Sequence, residues 1–204
     1  MKRRELSPPV HDRHPRTRRG TRRGAERGAA LVEFVLILPI FVLVVFGTIE
    51  FASAYNDASV VADAARAGGR IGSTAPGTDY TSTTSVNIVT TRVETVVKSL
   101  PAGSAKELWV YEANNKGFPG SAGNTGWGSC PSGTCVKYLW NNTTKVWDYA
   151  SGSYLATNQN ACGTSPDELG IRVVASHSML TKLFGTSFQL DDKTVFRFEP
   201  SANC

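Results

Sequence analysis

Residues Arg27–Phe51 read RGAALVEFVLILPIFVLVVFGTIEF. From Ala29 to Ile49 the chain runs for 21 residues with a single charge, Glu33. At about 1.5 Å of rise per residue, a helix of that length covers roughly the 30 Å hydrocarbon core of a bilayer, so the stretch is a candidate membrane-spanning helix. A carboxyl group in such a helix costs on the order of 2.5–3.5 kcal/mol near the bilayer centre and less near the interface, so its presence calls for a reason. A short basic arm precedes this stretch, and the chain beyond Phe51 has the composition of a segment able to fold in water.

Charge is divided unevenly around the apolar run. Residues 1–28 hold ten Lys/Arg against three Asp/Glu, a net of +7, while residues 29–204 hold twelve against fourteen, a net of −2. The basic character therefore belongs to the arm, and the folded part lacks the clustered cations that nucleic-acid binding requires. The arm, rich in Pro and Arg, reads as a solvated tail with a topological role. Positive charge just before a membrane helix holds the N-terminus in the cytoplasm and places the remainder on the far side.

That placement puts the cysteines, Cys130, Cys135, Cys162 and Cys204, in an oxidising compartment. Three pairings are possible. Cys130 with Cys135 and Cys162 with Cys204 is favoured, because the first pair has little loop to close. The paired C-x-x-C knuckles of a thiolate zinc site are not present, so no metal and no cofactor is expected.

At the border of the arm, Gly28 is followed by Ala29, Ala30, Leu31, Val32 and Glu33. A small residue ending a basic leader, then an apolar helix with Glu fifth, is the processing pattern of type IV pilin-like precursors, with cleavage between Gly28 and Ala29. Cleavage there would leave a cationic amine at Ala29 and a carboxylate one helical turn on at Glu33. Between stacked subunits, one Glu33 could neutralise the next subunit's amine inside an apolar filament, where an unpaired charge is expensive. Glu33 thus becomes an assembly and register device.

The wider segment resembles the TadE-like family, minor pseudopilins of the tight-adherence (Flp) pilus system. The resemblance is carried by Gly28-Ala29-x-x-Val32-Glu33-Phe34, Leu38-Pro39, Gly47-x-x-Glu50-Phe51 and Ala64-Ala65-Arg66-x-Gly68, about 45 residues in all. A looser likeness continues at Leu183–Gly185 and Arg197–Pro200. The resemblance implies a structural protein with no enzymatic activity. Its implied partners are other pilin-like subunits, a prepilin peptidase, the inner-membrane pilus assembly platform and the membrane itself, with no nucleic acid.

The expected fold is α+β: a long N-terminal helix, membrane-spanning in its first half, then a small pilin-like domain with a second helix and an antiparallel sheet of four or five strands. The boundaries are a removable basic leader at 1–28, the membrane helix at 29–51, its extracytoplasmic continuation at 52–69 and the folded domain at 70–204. Pro39 lacks an N–H and should bend the membrane helix. From Ala52 the pattern turns amphipathic, with Ala54, Ala58, Val61 and Ala65 on one face and Asn56, Asp57, Asp63 and Arg66 largely elsewhere. Gly68 and Gly69 read as the helix stop, and Ile71–Thr83 as a linker. A second helix is predicted over Thr84–Leu100, its apolar face being Val86, Val89, Val93, Val96, Val97 and Leu100. Strands are predicted at Glu107–Glu112, Cys135–Trp140, Lys145–Tyr149, Leu169–Ser176 and Thr194–Glu199. A long loop spans Ala113–Thr134, and Met179–Phe184 reads as a short helical or hydrophobic turn. Tyr138, Trp140, Trp147 and Tyr149 are expected to pack across strands.

Catalytic groupings are missing: no nucleophile elbow, phosphate loop or H-E-x-x-H is present. His177, the one histidine outside the leader, reads as a solvated or structural residue, and Asp191-Asp192 as a turn. Two other readings compete with the pilus subunit. One is an uncleaved single-pass anchor carrying an extracytoplasmic domain. The other is an exported soluble binding protein whose signal ends at Ala54, after Ala52-Ser53-Ala54.

Overall fold

The computed structural model describes residues 22–81, 86–128, 130–182 and 185–200. They form α1 (Arg22–Ser73), α2 (Ile88–Val97), β1 (Ala105–Glu112), β2 (Cys135–Trp140), β3 (Trp147–Ser153), β4 (Glu168–Ser178) and β5 (Ser187–Arg197). The strands make one antiparallel sheet in the order β3-β2-β1-β4-β5. The α+β class is the one expected. By internal packing the chain divides into two units, residues 1–46 and 47–204, and the second contains the sheet and α2.

In the second unit the core arises from strand alternation. Leu169, Ile171, Val173 and Ala175 of β4 line up with Leu108 and Val110 of β1 and Val136 and Tyr138 of β2. Side chains two apart share a face, so this row covers one side of the sheet. Val89, Val93 and Val97 of α2 and Val61, Ala64 and Ala65 of α1 pack into the same core. Each fully buried Val or Leu contributes about 1.5–3 kcal/mol, which is what fixes two short amphipathic stretches to the sheet. Asn87 starts α2: its side chain accepts from Val89 and Thr90, while the Thr90 hydroxyl accepts from the Asn87 N–H. That capping box moves the start past Val86, which is exposed. Residues 84–85 of the expected helix lie outside the described residues.

Gly68 and Gly69 do not stop α1, which continues to Ser73. A Cβ added at Gly68 would sit 2.6 Å from Val93 Cγ2, at Gly69 2.5 Å from Phe196 Cδ2, and at Gly72 2.5 Å from Leu169 Cδ2. These glycines are where the helix lies against α2 and the sheet, and packing outweighs the roughly 1 kcal/mol each costs in helix propensity. The expected linker after them is also packed. Tyr80 is fully buried and stacks on Tyr154 at 5.7 Å, and its backbone N–H donates to the Tyr154 carbonyl. The Tyr138 hydroxyl donates to the Tyr80 carbonyl.

The later strands differ from expectation at their ends. Lys145 takes φ 60°, a turn conformation, so β3 begins at Trp147 and runs on to Ser153. β5 begins at Ser187 and holds Asp191 and Asp192 in its middle rather than in a turn. An edge strand tolerates such charges, which discourage pairing with other chains, and Asp191 accepts two bonds from the Arg172 guanidinium of β4. Trp140 meets Trp147 edge-on at 5.0 Å and Tyr138 meets Tyr149 at 6.5 Å, the cross-strand packing expected.

Candidate functional site

Two features of α1 are candidates for a functional site, one in each unit. In the first unit every residue from Gly28 to Phe46 is exposed, including Leu31, Phe34, Ile40 and Phe41. Among the described residues of that unit nothing covers this apolar surface, and its length and composition suit a bilayer, so it fits a single-pass membrane anchor. Gly28 and Ala29 lie inside the helical segment, which begins at Arg22 rather than at Ala29. A Cβ at Gly28 would meet nothing within 4 Å. Glu33 is exposed and makes no hydrogen bond or ion pair among the described residues. Pro39 is inside α1, which is continuous through it.

The second feature is a buried polar cluster that no sequence motif marks. Asp57, expected off the packed face, is 4% exposed and in line with Val61 and Ala64. Glu50, seven residues earlier and so two turns back on the same face, is buried as well. Opposite them is His177, also buried and next in the inward-facing row of β4 after Ala175. The His177 Nδ1 lies 2.7 Å from Asp57 Oδ2, and the Nε2 lies 3.8 Å from Glu50 Oε1. The Nε2 has no hydrogen-bond partner among the described residues. Glu50 is engaged through backbone instead: Leu180 N–H donates to its Oε1 at 2.8 Å and Thr181 N–H to its Oε2 at 3.3 Å. Two acids and an imidazole therefore fasten α1 to the end of β4 and to the bend beyond it. The signal in the sequence is positional: Glu50, Ala54, Asp57, Val61 and Ala64 fall on one helical stripe.

The other face of the sheet carries an ordered loop. Trp127 packs against Trp109, Tyr111 and Phe118 at 5.0–5.9 Å between ring centroids, and the Arg172 guanidinium lies 4.2 Å over its ring. Lys193 sits 3.3 Å above the Phe118 ring, and burial pushes its ammonium below the usual lysine range. Burial alone would raise the Glu107 carboxyl, but the Lys137 ammonium at 2.8 Å and the Trp109 N–H at 2.9 Å hold it below its ordinary value. Cys130 and Cys135 form a disulfide with 5.1 Å between Cα atoms, the expected pair. The pairing of Cys162 with Cys204 involves a residue outside the described ones. The looser likeness at Leu183–Gly185 also falls largely outside them. A pocket of about 840 Å³ opens within this loop beside Glu112, Asn114, Asn124 and Thr134. The Asn114 and Asn124 amides are committed to the loop's own backbone. Among the described residues no three His, Cys, Asp or Glu side chains converge as a metal site.

Comparison with known families places these features in a context. The family model described as TadE-like protein matches residues 28–70. The match runs from the glycine before Ala29 through Glu33, Glu50 and Asp57 to Arg70, so it takes in both the exposed apolar helix and the two acids of the polar cluster. Neither the comparison with curated proteins nor that with solved structures gives a match.

Proposed function

We propose that the chain is a structural, non-enzymatic subunit of a tight-adherence (Flp-type) pilus system, a minor pseudopilin. In this reading it enters the cytoplasmic membrane as a single-pass protein, N-terminus inside. A prepilin peptidase cuts it after Gly28, and other pilin-like subunits and the inner-membrane assembly platform then receive it. The observation that carries the reading is the lone Glu33 on an otherwise apolar, wholly exposed helix inside a TadE-like match. An unpaired carboxylate in hydrocarbon is costly, and the amine freed at Ala29 of a neighbouring subunit is a partner of the right charge at the right depth.

A fixed anchor that keeps its leader has one observation in its favour. The Gly28–Ala29 bond is inside a helical turn, which a peptidase would have to unwind. The N-terminal residue of the protein recovered from its host's membranes and shed surface fraction separates the readings. Ala29 supports the pseudopilin, and an intact leader supports the anchor. Tyr55 as first residue would move the chain to the exported soluble class.

A further inference from the structure

Where α1 runs alongside the sheet unit, polarity is inverted relative to an ordinary amphipathic helix. Between Gly47 and Asp57 the buried residues are the acids Glu50 and Asp57, while Phe51 is 75% and Tyr55 69% exposed. The bend after β4 presents Leu180 at 70% exposure, although its backbone is tied to Glu50. Gly47, Glu50, Phe51 and Ala54 of the helix, with Met179 and Phe188, line a largely apolar groove of about 290 Å³.

We infer that this patch is a lipid-facing foot. Phe51, Met179, Leu180 and Phe188 insert into the headgroup–acyl boundary of the membrane, and Glu50 is the residue that positions the Leu180 bend for it. The inference rests on reading Ala29–Ile49 as the membrane span. Phe51 lies two residues and Tyr55 six residues beyond Ile49, about 3 and 9 Å along the helix. The polar layer of one leaflet is roughly 5–8 Å thick, so Phe51 falls within it and Tyr55 at its outer edge. Rings with an apolar body and, for Tyr55, a polar tip are the side chains favoured there. Leu180 is held level with Glu50 by the 2.8 Å bond. Lys182, exposed and two residues on, has the length and charge to reach lipid phosphate.

The foot also explains the buried acid. Backbone N–H groups dipped toward hydrocarbon lose water and must be paired internally, at a cost of several kcal/mol each if they are not. The Glu50 carboxylate pairs two of them, on Leu180 and Thr181. A polar or charged partner protein would find few complementary groups on this patch, whereas acyl chains need none.

The test uses the full chain in lipid nanodiscs containing phosphatidylethanolamine and phosphatidylglycerol. The described cysteines are not free, so Leu180→Cys, Phe51→Cys, Val42→Cys and Asn142→Cys each add one thiol for a nitroxide label. Relaxation by oxygen, which partitions into lipid, is compared with relaxation by a water-soluble nickel chelate. The labels at 180 and 51 should give an oxygen-to-nickel ratio several-fold above that at 142 and approaching that at 42. If 180 matches 142 while 42 remains lipid-like, the foot is refuted and the span stands. If 42 is itself open to nickel, the span reading fails and the foot with it. Shielding of 180 from both reagents would mean that protein, such as a second copy, occupies the patch, and would overturn the inference. Glu50→Ala should drop the ratio at 180 to the level at 142 without moving 42, and Glu50→Gln, which retains a carbonyl acceptor, should preserve part of it. An unchanged ratio in Glu50→Ala would remove Glu50 from the positioning role.

Discussion

Gly68→Ala offers the sharpest test of how α1 sits in its domain, because two physical effects oppose each other in sign. Helix propensity alone predicts a gain of about 1 kcal/mol when glycine inside a helix becomes alanine. Packing predicts a loss. The new Cβ would lie 2.6 Å from Val93 Cγ2 and 3.3 Å from Ile171 Cγ2. Contact between carbon atoms is optimal at about 3.5–4.0 Å, so α1 or its neighbours must move by roughly 1 Å. Both neighbours are β-branched, and their χ1 angles have little freedom to give way. Overpacking of this kind costs about 1–3 kcal/mol, leaving a net loss of roughly 1 kcal/mol after the propensity gain. Denaturant unfolding of the detergent-solubilised chain should show a lower midpoint with an unchanged slope. Val93→Ala removes the clashing methyl, so Gly68→Ala combined with Val93→Ala should lose less than the two single changes added together. Stabilisation by Gly68→Ala, or strict additivity in the double variant, would refute the close approach.

Further outcomes are expected from perturbations elsewhere in the chain. Gly28→Val should block processing while leaving membrane insertion intact, and Glu33→Ala should spare cleavage but impair assembly; normal assembly of Glu33→Ala would refute the charge pairing. Removing the Cys130–Cys135 disulfide, whose partners are 5 residues apart, should cost about 2 kcal/mol of stability and loosen Trp127, read as a shift in tryptophan emission. Asp57→Ala leaves the buried His177 Nδ1 without its partner and should cost about 1–3 kcal/mol by the same unfolding assay. Burial raises the Tyr80 phenol to about 12, and pushes Tyr111, Tyr138 and Tyr154 up as well. Deprotonation then favours the unfolded chain. Stability from Tyr80 is complete below about pH 10 and is lost toward pH 12 at about 1.4 kcal/mol per pH unit. Ultraviolet titration should find these phenols ionising only with unfolding, and reversible ionisation of all six tyrosines near pH 10 would contradict their burial.

The sequence by itself determined the features that depend on local order. A run of 21 residues with one charge specifies an apolar helix long enough to cross a bilayer, because the cost of exposing backbone and charge to hydrocarbon accrues residue by residue. The aromatic and β-branched content of β1 and the apolar row of β4 specify strands, and Cys130 and Cys135 are close enough in the chain to pair without help. Tertiary structure decided what depends on a distant partner. Gly68, Gly69 and Gly72 read as breakers until Val93, Phe196 and Leu169 are seen pressed against them. Asp191 reads as a turn until Arg172 reaches it across the sheet. Glu50, Asp57 and His177 are 127 residues apart at their extremes, and each alone looks solvated. Their burial is tolerable only because the fold brings acid, imidazole and two backbone N–H groups together, and pairing of that kind is decided in space rather than along the chain.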